Sequence, residues 1–229
     1  MVAFYAQFVS KGNLVFDVGA NVGEYTEVFL ELGAQVVAVE PNPSCASLLE
    51  QIRPRERVVV KRAALGNTQS ESILHVCDLD GLSTMSPDWL GVAQNLPKLA
   101  GRDWSRSIKV PVTTLDALIT EYGRPQFIKI DVEGYEHAVL SGLSRLPTCL
   151  SFEYHNEFAN AAKACVRENC FSPAAQFNLT LGNPLGWRPQ PLKFALDEWV
   201  SSEKMAAQLE KGDLLNAETY GEIFARELP

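Results

Sequence analysis

Leu14-Val15-Phe16-Asp17-Val18-Gly19-Ala20-Asn21-Val22-Gly23, followed at a distance by Glu40-Pro41-Asn42, decides how this chain folds. Leu14 to Phe16 is short, apolar and β-prone, the pattern of a strand covered on both faces. Gly19 and Gly23 let the chain turn sharply and let a ligand approach the main chain. Asn21 is expected to cap the helix that follows, with Glu24 three residues on completing a capping-box-like pattern. Val22, Tyr25, Phe29 and Leu32 recur at helical spacing, and Gly33 is expected to end the helix. Val36 to Val39 reads as a second strand. Glu40 closes it with a carboxylate, placed where an acid can accept both hydroxyls of a ribose. Strand, glycine turn, helix, strand and terminal acid make half of a nucleotide-binding α/β unit.

The acids narrow the nucleotide. A pyrophosphate-binding turn avoids negative charge, yet Asp17 stands two residues before the first glycine. Glu24 and Glu27 then occupy the first turns of the helix, where a phosphate would want bare N–H groups. A phosphate-free nucleoside with two positive centres fits better. S-adenosylmethionine (SAM), with its sulfonium and its amino group, is such a ligand.

The chain has 229 residues, 46% of them hydrophobic, enough for one substantial core. No linker, repeat or low-complexity tract divides it, so a single domain over residues 1–229 is expected. A net charge of −8 and the lack of a basic run argue against a nucleic-acid partner. Five cysteines (Cys45, Cys77, Cys149, Cys165, Cys170) with no C-x-x-C pair read as reduced, mostly buried small hydrophobes. The first ten residues lack a basic start and a long apolar run, and no stretch is long enough to span a bilayer. Phe4, Tyr5 and Phe8 instead suggest a short amphipathic turn. A cytoplasmic protein is expected, and the sequon Asn178-Leu179-Thr180 is read as chance.

Beyond Glu40, Asn42-Pro43 starts a helix in the manner of an N-cap with proline at the first position. Val58 to Val60 is a third strand, and Ile73 to Val76 a further extended segment. Residues 78–106 are rich in turn formers and longer than a simple connection, which favours a lid or substrate loop. Ile108 to Val112 alternates and leads into a helix capped by Thr114. Phe127 to Ile130 is a core strand, Asp131-Val132-Glu133-Gly134 turns into a helix, and Cys149 to Phe152 is another strand. A helix over about 157–167, an extended segment at 177–181, a Gly/Pro turn region and an ending rich in Glu and Leu follow. Alternating strands and helices imply a mostly parallel sheet with helices on both faces. Ligands of such sheets bind beyond the strand carboxyl ends, so Asp17, Glu40, Asp131 and Glu153 should share one rim.

The glycine motif, taken with Ile128-Lys129-Ile130-Asp131-Val132-Glu133-Gly134-Tyr135-Glu136, resembles the FkbM family of SAM-dependent methyltransferases. Val39-Glu40-Pro41-Asn42-Pro43, Ala63-Ala64-Leu65-Gly66 and Thr113-Thr114-Leu115-Asp116 are similar to that family in the same order. The resemblance spans roughly residues 13 to 155, with a compatible ending at Gly221 to Ala225. It implies a Rossmann-like class I methyltransferase fold with a seven-stranded sheet, SAM as cofactor, and methyl transfer to a sugar or polyketide-type hydroxyl. Members often carry a longer segment before the first strand. Residues 78–106 are the candidate for whatever cover that segment would provide.

Methyl transfer needs donor and nucleophile aligned and one proton handled. Asp131 is the first choice of base, with Glu153 and His155 at the next strand end as further catalytic candidates. Asp131 could instead only orient SAM. For the donor, Asp17 and the turn residues Gly19, Ala20, Asn21 and Gly23 are expected near the methionine part, and Glu40 with Pro41 at the ribose. By family analogy Asn42 and Ala64 lie near the adenine. Ser83 and Thr84 belong to a loop that could close on SAM or substrate. Glu133 and Glu136 could join Asp131 as magnesium or calcium ligands. Acids complementing a helix N-terminus is the favoured reading, so no metal is expected. His75 and His137 are read as structural. The expected function is a SAM-dependent O-methyltransferase acting on a small-molecule or glycosidic hydroxyl. A non-catalytic SAM-binding module and a nicotinamide-dependent oxidoreductase stay open as alternatives, the last opposed by Asp17 and the missing G-x-G-x-x-G spacing.

Overall fold

The computed structural model describes residues 1–79, 81–182, 192–211 and 220–227. Its first half runs α1 (Val2–Tyr5), β1 (Leu14–Val18), α2 (Glu24–Glu31), β2 (Gln35–Val39), α3 (Pro43–Leu49), β3 (Val58–Lys61), β4 (Ala64–Leu65), β5 (Ser70–Val76) and α4 (Pro87–Ala93). Then come β6 (Arg106–Thr113), α5 (Leu115–Tyr122), β7 (Phe127–Ile130), α6 (Glu136–Leu140), β8 (Cys149–His155), α7 (Ala159–Cys165), β9 (Gln176–Leu179), α8 (Ser202–Lys211) and β10 (Tyr220–Arg226). The expected Gly/Pro turn region and much of the Glu- and Leu-rich ending lie outside the described residues. Among the described residues, no helix is long and apolar enough to cross a membrane.

The main sheet has seven strands in the order β3-β2-β1-β7-β8-β10-β9. β10 runs antiparallel to both its neighbours, and the pairings among the other strands are parallel. From β1 the chain winds outward through β2 and β3. It returns to the other side of β1 with β7, so the order reverses between β1 and β7, where open α/β sheets hold their ligands. Both faces are covered. Phe16, Ile128, Leu150 and Phe152 pack on one side with Leu115 and Leu118 of α5, Val139 and Leu140 of α6, and Met205 and Leu209 of α8. Val15, Val36, Phe127 and Phe224 pack on the other with Tyr5 of α1 and Phe29 of α2. Each such buried side chain contributes roughly 1.5–3 kcal/mol.

α2 ends as its sequence predicts: Gly33 takes φ 84°, its N–H reaches Leu30 O at 2.9 Å and that of Ala34 reaches Phe29 O at 3.0 Å. Both orphaned carbonyls are thereby satisfied. Its start differs. Gly23, at φ 101°, is the N-cap, and no side chain caps the helix. Asn21 therefore closes no capping box with Glu24, because it is spent two residues earlier in a left-handed turn at φ 49°. Two other caps are as expected: Asn42 accepts from Ser44 N, and Thr114 from Ala117 N.

The segments at 70–76 and 106–113 do not join the main sheet. With β4 they form a separate three-stranded sheet, β4-β6-β5, in which β5 and β6 pair antiparallel over seven residues. The alternation of β6 is the pattern of a sheet with one wet face. Residues 78–106 contain α4 and a one-turn 3₁₀ helix at Pro97–Leu99. They bury Trp89 and Trp104 in a cluster with Cys77 and Ala93. All five cysteines are free and buried. Asn178 is buried too, its amide donating to Leu196 O and Glu198 O, so the sequon asparagine serves packing.

Candidate active site

One cavity opens at the carboxyl ends of β1, β2, β7 and β8, and Asp17, Glu40, Asp131 and Glu153 all line it. Gly19, Ala20, Asn21, Pro41, Asn42, Ala64 and Ser83 belong to the same wall. Gly23 does not line it: a Cβ there would lie 2.2 Å from Ile52 Cδ1 and 2.9 Å from Leu49 Cδ2, so this glycine lets the start of α2 pack on the end of α3 and the turn after it. His155 is also off the lining, one step behind Glu153.

Gly19 and Ala20 both donate to Val39 O, at 2.9 and 3.0 Å, which folds the turn over the end of β2. Gly19, at φ 77°, also touches the end of β7: a Cβ on it would stand 1.7 Å from Asp131 O. Glu40 ties two loops together, its Oε2 accepting from Asn21 N at 2.9 Å and its Oε1 from Asn42 N at 2.7 Å. Asn21 Oδ1 is buried on this wall and makes no hydrogen bond among the described residues. Such an orphaned acceptor costs about 1–3 kcal/mol unless a ligand donor meets it. Ser83 Oγ faces the backbone as well, accepting from Cys77 N at 3.2 Å.

The carboxylates differ in state. Asp17 is fully buried and takes a 2.6 Å hydrogen bond from Thr26 Oγ1. Burial pushes its carboxyl up to about 6, with Lys129 and Thr26 pulling the other way. Burial also pushes on Asp131, but the Lys129 ammonium 2.7 Å away overrides it and holds this carboxyl below its usual range. Lys129 is the unexpected member. It lies inside the apolar run Phe127 to Ile130, beside Asp17 in the sheet register, with its Nζ 4.0 Å from the centre of the Tyr25 ring. Its attraction to Asp131, Glu222 and Asp17 outweighs burial and raises its pKa.

Past Asp131 the chain holds Glu133 at φ 52°, a left-handed conformation rare for a glutamate. Thr84 Oγ1 donates to Glu133 O at 2.6 Å, and Trp89 Nε1 to Glu133 Oε2 at 3.2 Å. The 78–106 segment is thus fastened onto the rim. Glu153 Oε2 lies 3.1 Å and Glu133 Oε2 3.8 Å from His155 Nε2. The Trp89 indole stacks on the His155 ring at 4.2 Å between centres. Burial, and then the neighbouring carboxylates, push both Glu133 and Glu153 up. Glu136 does not point to a shared metal. Its Oε1 accepts from Val132 N at 3.0 Å and Gly134 N at 3.2 Å, bracing the turn that carries Asp131 and Glu133. Of the other histidines, His137 pairs with Glu168 and His75 with Ser107, both away from the cavity.

No motif in the sequence marks a role for Lys129, Tyr25, Trp89 or the Tyr5–Glu222 pair, in which the phenol donates to the carboxylate at 3.0–3.1 Å. A lysine in an apolar strand was a visible signal. The partners of Glu222 and Glu133 were not, since 217 and 44 residues separate them from Tyr5 and Trp89.

A family model described as the Methyltransferase FkbM domain matches residues 17–164. No curated protein matches the chain. Among solved structures, methyltransferase FkbM from Methylobacillus flagellatus KT is 15% identical at a TM-score of 0.49, with 78% of this chain and 46% of that one covered. The present chain therefore spans about half the length of that protein. An O-methyltransferase from Bacillus cereus in complex with SAH is 11% identical at a TM-score of 0.48, with 99% and 78% covered. An rRNA methylase from Streptococcus thermophilus is 12% identical at 0.46, with 100% and 94% covered.

Proposed function

Because the chain belongs to the FkbM methyltransferase family, we propose that it transfers a methyl group from SAM to a hydroxyl of a small molecule or glycoside. The observation that carries this reading is the meeting of Asp17, Glu40, Asp131 and Glu153 on one cavity at the switch point of the sheet. Those carboxylates suit a cationic, phosphate-free nucleoside and repel a pyrophosphate. The buried Asn21 Oδ1 supplies an acceptor that such a ligand can meet.

When bound, SAM supplies a methyl carbon on a cationic sulfur; an acceptor oxygen takes it as the carbon–sulfur bond breaks, the electron pair stays on sulfur and the hydroxyl loses its proton. The chain's part is alignment, charge and that proton. Asp131, held ionised by Lys129, faces the cationic part of the donor, with Asp17 behind it. Glu40 takes the ribose hydroxyls, Asn42 and Ala64 flank the adenine, and Ser83 closes the far wall. Glu153 and His155 deal with the acceptor hydroxyl and its proton. The net charge of −8 and the acidic cavity favour an acceptor without phosphates over a polynucleotide.

Calorimetry with SAM and with NADH tests the first half: saturable SAM binding and no NADH binding are expected, and no SAM binding would refute the reading. Mass spectrometry over a panel of hydroxylated acceptors tests the second. SAM binding with no methylated product from any class of hydroxyl would favour a binding module.

A further inference from the structure

We propose that Glu133, Glu153 and His155 form a binding site for a first-row divalent cation at the edge of the donor cavity. This rests on the reading of that edge as the acceptor side. One ligand atom from each of the three lies within 4.8 Å of the other two. The imidazole is central, with Nε2 3.1 Å from Glu153 Oε2 and 3.8 Å from Glu133 Oε2. Donors held ~2.1 Å from one ion stand roughly 3–3.5 Å apart, so a side at the 4.8 Å limit would have to close by roughly 1.3–1.8 Å.

Burial and composition separate this trio from an ordinary patch of surface acids. Glu133 and Glu153 are 7% and 9% exposed, and a nitrogen donor stands between them. With both carboxylates ionised the trio would carry a net negative charge even around a protonated ring, and holding them that close without a counter-charge is unfavourable. A dication with a neutral ring makes the site neutral. One imidazole and two carboxylates is a set suited to manganese or zinc, and harder magnesium and calcium gain little from the nitrogen. Three protein ligands leave coordination positions open, as catalytic rather than structural metal sites do.

A supporting shell is present. Trp89 Nε1 fixes the Glu133 carboxylate at 3.2 Å, and the same indole stacks on the His155 ring with 29° between planes. Tyr220 stacks on the ring as well, at 6.0 Å. Glu133 and Glu153 also line the cavity with Asp131, so an ion on them borders the donor space. Glu153 and His155 would then act on the acceptor hydroxyl through the ion rather than as bases: a hydroxyl bound to it would have its pKa lowered and would lose its proton to solvent before attack. The matching acceptor class has two neighbouring oxygens, such as a vicinal diol or a hydroxy-carbonyl, able to occupy two open positions.

Titrating the full chain with manganese at pH 7.5, read by loss of the free-ion EPR signal, tests this, with zinc as competitor. One saturable site per chain is expected. It should weaken at least ~10-fold in Glu153→Gln and in His155→Phe, which keeps the stack on Trp89 but removes the nitrogen. No saturable site in the wild type, or unchanged affinity in both folded variants, would overturn the proposal. SAM binding is measured on the same samples by calorimetry. Intact SAM binding without manganese binding refutes the metal site alone, and absent SAM binding refutes the donor reading instead.

Discussion

Replacing Glu136 by Gln should make the protein more stable at high pH and leave it nearly unchanged at low pH. Glu136 is buried, and a single carboxylate oxygen, Oε1, takes both N–H bonds from Val132 and Gly134. A glutamine carbonyl can take the same two bonds, and its amide stands where the neutral acid carries its hydroxyl. Burial first, and then Glu153, push the Glu136 carboxyl from 4.5 to about 7 in the folded chain. An acid raised on folding contributes fully below its unfolded pKa and loses that contribution as pH rises through its folded pKa. The loss here runs from about pH 4.5 to about pH 7. At 1.36 kcal/mol per unit it amounts to about 3 kcal/mol, since the unfolded chain ionises while the folded one must hold its proton or bury a charge. Urea unfolding of wild type and variant without SAM, at pH 4, 6 and 8, measures it. The two should agree within about 1 kcal/mol at pH 4, with the variant ahead by about 3 kcal/mol at pH 8. A gap that stays constant with pH, or that closes as pH rises, would refute the assignment of Glu136 as a buried neutral acid.

Gly19→Ala should destabilise by at least ~3 kcal/mol and abolish SAM binding, because its Cβ would fall 1.7 Å from Asp131 O at φ 77°. Wild-type melting and calorimetry would show that the two strand ends are not so close. Tyr5→Phe removes the phenol that donates to Glu222, so a loss of about 1–3 kcal/mol is expected in urea unfolding. A neutral result would mean that water replaces it. All five cysteines are free and buried, so Ellman's reagent should find none in the native protein and five in urea. A fast-reacting native thiol would contradict that burial.

The half of the fold carried by local chemistry was legible in the sequence. Asp17 to Gly23, the Asn42-Pro43 and Thr114 caps and the Gly33 stop depend on neighbours a few residues away, and those patterns are short-range physics. The shared rim of Asp17, Glu40, Asp131 and Glu153 was legible too, because a parallel sheet forces its strand ends to one side. Asn21 misled because a cap and a left-handed turn draw on the same residue types. The second sheet escaped because β5 and β6 alternate like any half-wet strands, and alternation does not name a partner. Trp89 and Lys129 acquire their meaning from Glu133, Tyr25 and Asp131, contacts that only the tertiary arrangement makes.

The place of β10 has a consequence for the order of events at the ribosome. It comes last in sequence among the described strands, yet it lies between β8 and β9 and pairs with each. While residues up to about 219 emerge, β8 presents a bare edge and β9 has no neighbour in the main sheet. Glu222, which Tyr5 engages, arrives with the same late strand. The β1–β2–β3 half, with its sequential parallel pairings, can form during synthesis, whereas the flank bearing Glu153 and His155 closes only after β10 is released. A nascent chain stalled before Tyr220 therefore carries a half-built rim with an open edge, the kind of surface a chaperone protects.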